Sequence, residues 1–125
     1  MTRDPDSTFA RCDELARALD DLVPVLEANI ARNREAIKRA RTIQRLLRDG
    51  RSYTEIVRLR DDRLIVELLR ENLEALYDAG ARLRRLKAIT LHEEGMTMSE
   101  IAHIFGVTRQ RISALIKEAR SGRLD

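Results

Sequence analysis

Between Phe105 and Arg109 the chain reads Gly106-Val107-Thr108, and this tripeptide constrains the fold more than any other stretch. Glycine enters the left-handed backbone region without a Cβ penalty, valine can plug an apolar corner, and threonine is a good helix N-cap. Upstream, Thr97-Met98-Ser99-Glu100 has the form of a capping box, in which hydroxyl and carboxylate satisfy free amides reciprocally. The helix launched there carries Ile101, Ala102 and Phe105 and ends at Gly106. The next, from Arg109 to roughly Arg120, carries Ile112, Leu115 and Ile116 on one face. A large side chain in place of Ala102 pushes two such helices apart, and a Cβ at Gly106 strains the turn. Met96 and Met98 are expected as core packing, and His92 and His103 at the surface.

The rest of the chain is expected to be helical as well. Of its 125 residues 43% are hydrophobic and 36% charged, with five Gly and two Pro, and no strand-like stretch is visible. The fold class is all-α: a long N-terminal helix, then a helical bundle ending in the paired helices above. Net charge is only +3, but its distribution is uneven. Residues 30–48 hold seven Lys or Arg against Glu35 alone, and 82–125 hold nine basic residues against five acids, whereas 1–29 and 51–81 are net negative. Cys12 is the single cysteine, which excludes an intramolecular disulfide and fits a reducing cytosol. No apolar run approaches the roughly 18 residues of a membrane span, and Asp4, Asp6 and Asp13 do not suit a signal peptide. A cytoplasmic, nucleoid-associated location is expected, with no membrane partner, metal or cofactor.

Residues 1–7 read as a flexible lead-in, with Ser7 or Thr8 as an N-cap, and 8–50 as one helical segment kinked or split near Pro24. Along it Ala16, Leu19, Val23, Leu26, Ile30, Asn33, Ile37, Ala40, Gln44 and Leu47 recur at steps of three and four, a heptad seam. It suits either a homodimeric coiled coil, with Asn33 fixing register, or packing on the chain's own later helices. On one flank Arg34, Lys38, Arg41, Arg45 and Arg48 make a basic stripe, either a solvated face or a row of phosphate contacts. Asp49-Gly50 closes this segment. Connecting helices follow over 51–80: Ser52-Tyr53-Thr54-Glu55 caps a short helix to about Arg58, Asp61-Asp62 opens another, and Gly80 marks a break, a kink or a close approach. At an offset of 45, Leu46, Gly50, Ser52, Glu55, Ile56 and Leu59 align with Leu91, Gly95, Thr97, Glu100, Ile101 and Ile104, which shared capping grammar explains more simply than a decayed duplication. The last domain spans 81–125, with its first helix over Arg82 to Glu94.

Within that domain, Glu94 to Ser113 resembles the helix-turn-helix of bacterial sigma factor region 4, and the resemblance extends over about residues 82–120. Ile101, Phe105, Val107, Ile112 and Leu115 stand at its apolar positions, Ala102 at its small residue and Gly106 at its turn glycine. The resemblance implies that Thr108, Arg109, Gln110, Ser113, Ala114 and Lys117 face the major groove of double-stranded DNA. Their chemistry suits that role: Arg109 can bond a guanine edge bidentately, Gln110 an adenine, and the Ala114 methyl can meet a thymine methyl. Arg111, Lys117, Arg120 and Arg123 can hold phosphates, and the helix amino terminus after Thr108 favours an anion.

The first 80 residues match no sigma region, so promoter melting is not implied. A small DNA-binding transcriptional regulator or nucleoid-associated protein is the expected function, pairing as a homodimer through the N-terminal helix. The alternative is an interaction adaptor that uses the same helices on a protein, such as RNA polymerase or a phage or antitoxin-like assembly. An enzyme is not expected, because no nucleophile-base pair, phosphate loop or metal spacing is visible. Two Phe, two Tyr and no Trp leave little stacking surface for single strands or RNA.

Overall fold

The structure, a computed structural model, describes residues 5–59 and 63–121. They form five helices: α1 (Pro5–Arg48), α2 (Tyr53–Leu59), α3 (Arg63–Glu93), α4 (Met98–Phe105) and α5 (Arg109–Arg120). Among the described residues there is no strand, so the chain is all-α, with a long N-terminal helix and a helix-turn-helix at its C-terminal end. None of these helices is long and apolar enough to cross a membrane.

Three local expectations change. The first helix opens at Pro5 rather than near Ser7, which suits proline because its missing amide is one of the orphans of a first turn. Pro24 neither splits nor ends α1, which runs on to Arg48. Pro24 and Asp20 are both exposed, so the Asp20 carbonyl deprived of its helical donor faces solvent and the cost is reduced. Gly80 lies inside α3 and breaks nothing; a Cβ built there meets no atom within 4 Å, so it marks no close approach either. The separate helix expected from Arg82 is therefore the end of α3. The capping role expected for Asp61-Asp62 lies outside the described residues.

The chain divides into two compact units, Met1–Val23 with Asp78–Asp125, and Pro24–Tyr77. The first contains the core. Ala88 and Ile89 of α3, Ile101 and Ala102 of α4, and Ile112, Leu115, Ile116 and Ala119 of α5 are buried together, with Leu91, Met96, Met98 and Phe105 packed on them. The start of α1 joins this unit through polar links. Arg11 Nε donates to Glu93 Oε1 at 3.2 Å, the Cys12 thiol donates to Glu94 at 3.4 Å, and Arg82 donates to Asp21 at 3.0 Å.

In the second unit Arg32 Nε donates to Asn72 Oδ1 at 2.7 Å, and Asn72 Nδ2 donates to Asn33 Oδ1 at 2.6 Å. Arg32 also donates to Asn29 Oδ1 at 2.8 Å. Ala36, Asn29, Asn72 and, from α2, Ile56 are buried. The α1 face turned inward is the row Arg32, Ala36, Arg39, Ile43 and Leu46, one position before the heptad seam at each turn. The seam itself points outward: Leu19, Val23, Leu26, Ile30, Ile37 and Leu47 are all exposed. Packing of that stripe on the chain's own helices, one of its two expected uses, is not found.

α1 ends with the Arg51 amide donating to the Leu46 carbonyl at 3.1 Å, and α3 ends with the Met96 amide donating to the Leu91 carbonyl at 3.0 Å. These six-to-one closures are Schellman caps, so the offset-45 echo extends to cap geometry. Capping grammar alone accounts for that much.

Candidate nucleic-acid interface

Each end of α4 is closed by its own residues. The Thr97 hydroxyl accepts from the Glu100 amide at 3.1 Å while the Thr97 amide donates to Glu100 Oε1 at 3.2 Å, the complete capping box. At the far end Gly106 sits at φ 67°, ψ 33°, and the Val107 amide donates to the Ala102 carbonyl at 3.1 Å. The chain then reverses, and Thr108 in extended geometry caps α5, its hydroxyl accepting from the Arg111 amide at 3.1 Å. The turn is built as its three residues suggest, with one difference. Val107 is 39% exposed, so it covers the corner only in part, and backbone hydrogen bonds close the rest.

α5 has two distinct faces. Ile112, Leu115, Ile116 and Ala119 are buried against α3 and α4, which fixes the rotation of the helix about its axis. The remaining positions follow from that rotation: Arg109, Gln110, Arg111, Ser113, Lys117 and Arg120 are exposed, and Ala114 is half-buried beside them. Gln110, Ser113, Ala114 and Lys117 share one stripe at helical spacing, with Arg109 at its amino-terminal end. Among the described residues no ion pair engages Arg109, Arg111, Lys117 or Arg120. Thr108 caps α5 as its place after Gly106 and Val107 suggests, and because that cap occupies its oxygen, the hydroxyl hydrogen is what it has left to donate. Arg123 lies outside the described residues.

Residues 84–125 match the family model of a helix-turn-helix domain. The helix-turn-helix thus comprises the last turns of α3 together with α4 and α5, and the match covers about the last third of the chain. It carries no sigma-specific assignment. Searches of curated proteins and of solved structures return no match. A domain of this kind points, in general, to a DNA-binding regulator.

Two features of the helix-turn-helix were not legible beforehand. Lys87 Nζ stands 5.5 Å from the centroid of the Phe105 ring, a cation–π contact that pins the end of α4 to α3. His92, expected at the surface, is half-buried, with Nδ1 3.3 Å from the Met96 carbonyl oxygen across the turn that precedes α4; His103 is exposed. Neither contact joins residues at a spacing that sequence periodicity reports.

The basic stripe of α1 belongs to the other unit. Arg34, Lys38, Arg41, Arg45 and Arg48 are all exposed, and a shallow groove runs along Arg34, Ile37, Lys38, Arg41, Thr42 and Arg45. Thr42 turns its hydroxyl back to the Lys38 carbonyl at 3.1 Å, so the groove presents cations and an apolar floor.

Proposed function

We propose that this chain is a small transcriptional regulator or nucleoid-associated protein that lays α5 in the major groove of double-stranded DNA. The observation that carries the reading is the outward face of α5. Arg109, Gln110, Ser113 and Lys117 are held at fixed rotation by a buried opposite face, and among the described residues no ion pair engages the two cations. Arg109 and Gln110 lie in the first turn, where recognition helices reach base edges, and offer the forked donors and the amide that guanine and adenine accept. Lys117, Arg111 and Arg120 serve the phosphates, with Thr108 and the capped helix terminus at one end. Two copies pairing through the N-terminal helix double the contact and set two α5 helices on successive half-sites.

The test is a salt titration of binding to duplex DNA pools, comparing the chain with an Arg109→Ala, Lys117→Ala variant. Tight binding that falls with salt and is lost in the variant, with about 1–3 kcal/mol per base-reading contact, is the expected result. No binding at low salt refutes it.

One observation favours a second reading, an adaptor that grips a protein such as RNA polymerase. Ile104 of α4 is 59% exposed beside half-exposed Val107, an apolar pair on the helix-turn-helix itself. In that reading Ile104→Glu abolishes partner binding and Arg109→Ala leaves any DNA affinity unchanged.

A further inference from the structure

The basic row of α1 leaves its charge unmatched. Arg34, Lys38, Arg41, Arg45 and Arg48 are all exposed, and among the described residues no ion pair engages any of them. Every other described cation of α1 has an acidic partner: Arg11 holds Glu14 and Glu93, Arg17 holds Asp13, Arg32 reaches Glu71 and Arg39 holds Glu35. Glu35 is the only acid between residues 28 and 48, and its ion pair with Arg39, at 3.0 Å, takes it from the row. Glu27 lies in line with the row two turns before Arg34, and Asp49 follows Arg48, so the uncompensated stretch runs from Arg34 to Arg48, about 21 Å of helix. It lies on the side of α1 opposite the inward row through Arg32, Ala36 and Ile43.

The needs of the helix itself do not account for this row. Like charges three or four residues apart destabilise a helix, and Arg34–Lys38, Lys38–Arg41, Arg41–Arg45 and Arg45–Arg48 are each such a pair. The helix dipole favours cations in the last turn, which covers Arg45 and Arg48 but not Arg34, Lys38 or Arg41. A row that repels itself along the helix and has no acid to meet is complementary to an external polyanion.

We propose that the row is a second DNA-contacting surface, which holds the phosphates of double-stranded DNA without reading its bases. The choice of DNA as the polyanion rests on the function proposed above for α5; the row lies in the other unit, so each unit then carries one DNA-facing surface. One strand of a duplex presents a phosphate about every 3.4 Å of its axis, so the row is as long as about six of them, and five cations on long, flexible stems suit such a ladder. The groove beside the row is lined by Ile37 and Thr42 as well as by cations, and by no aromatic ring. It offers no ring on which an unpaired base could stack, which favours a duplex over a single strand.

Duplex binding measured against salt tests this on the full-length chain, with an Arg34→Gln, Lys38→Gln, Arg41→Gln, Arg45→Gln variant and the Arg109→Ala, Lys117→Ala variant beside it. The four replaced side chains are exposed and glutamine is a good helix former, so the glutamine variant keeps the wild-type helical circular dichroism. The expected result is a slope of log affinity on log salt shallower by about four, one for each lost cation, with binding weakened on every duplex alike and the preference among sequences kept. An unchanged slope and affinity overturns the row as a DNA surface and leaves the α5 reading standing. Loss of sequence preference in the glutamine variant overturns the phosphate-only role. Single-stranded DNA, and vesicles of phosphatidylcholine with phosphatidylserine, are measured alongside, and row-dependent binding that is tighter to either than to duplex overturns the duplex as occupant. A wild type without sequence preference, whose duplex binding needs the row but not Arg109 and Lys117, supports the row and counts only against α5. No duplex binding by the wild type at low salt overturns both.

Discussion

Arg11 Nε donates to Glu93 Oε1 at 3.2 Å, joining the start of α1 to the end of α3 across 82 positions of sequence. Both side chains are largely buried, and Arg11 reaches Glu14 as well at 3.3 Å. The pair stands just before the turn that leads into the helix-turn-helix, so it anchors the scaffold on which α4 and α5 are mounted.

Glu93→Ala leaves Arg11 with only its local partner. A largely buried cation losing its long-range acceptor lowers stability by about 1–3 kcal/mol, read as a lower urea midpoint. An Arg11→Ala, Glu93→Ala double mutant that loses the plain sum of the single losses shows the pair to be uncoupled.

At Gly106 the cost of a side chain is conformational. A Cβ meets nothing within 4 Å, but φ is +67°, where an L residue is strained. Gly106→Ala therefore destabilises by about 1–2 kcal/mol and Gly106→Asn by less. Ala102→Leu is steric instead, overfilling the core between α4 and α5 at about 1–3 kcal/mol. Thermal unfolding of the three variants separates the two causes, since only Asn rescues a backbone penalty.

Thr108→Ala removes the cap of α5 and should cost about 0.5–2 kcal/mol. Thr108→Ser keeps the accepting oxygen and stays near wild type. If the alanine variant also weakens duplex binding beyond its effect on folding, the hydroxyl hydrogen contributes to phosphate contact.

The Cys12 thiol is held above its ordinary pKa, first by its 3.4 Å hydrogen bond to Glu94, then by desolvation, then by the charge of Glu94. The thiolate is the reactive form, so alkylation of Cys12 should be slow at mildly alkaline pH and gain its rate only as pH rises past the normal thiol range. Glu94→Gln shifts that rate profile to lower pH. An unmoved profile rejects the contact.

What the sequence determined by itself is local. The Ser52 side-chain cap, the capping box at Thr97, the turn at Gly106, and the apolar spacing of Ile112, Leu115 and Ile116 depend on groups within about one helical turn, so residue identity and spacing suffice to read them. The exposed row Arg109, Gln110, Ser113 and Lys117 follows from the same spacing once the buried face of α5 is known. Tertiary structure decided what local rules leave open. α1 carries two apolar stripes, and only contact with Asn72 and Glu71 of α3 shows that the row through Arg32 and Ala36 turns inward while Ile30 and Ile37 turn out. Pro24 and Gly80 read as breaks because propensity penalises them, yet both helices continue, since a cost of about 1–3 kcal/mol is small beside the packing of a long helix. Long-range pairs such as Arg11–Glu93 and Lys87–Phe105 join residues that no periodicity connects, and they exist only where the folded chain brings the elements together.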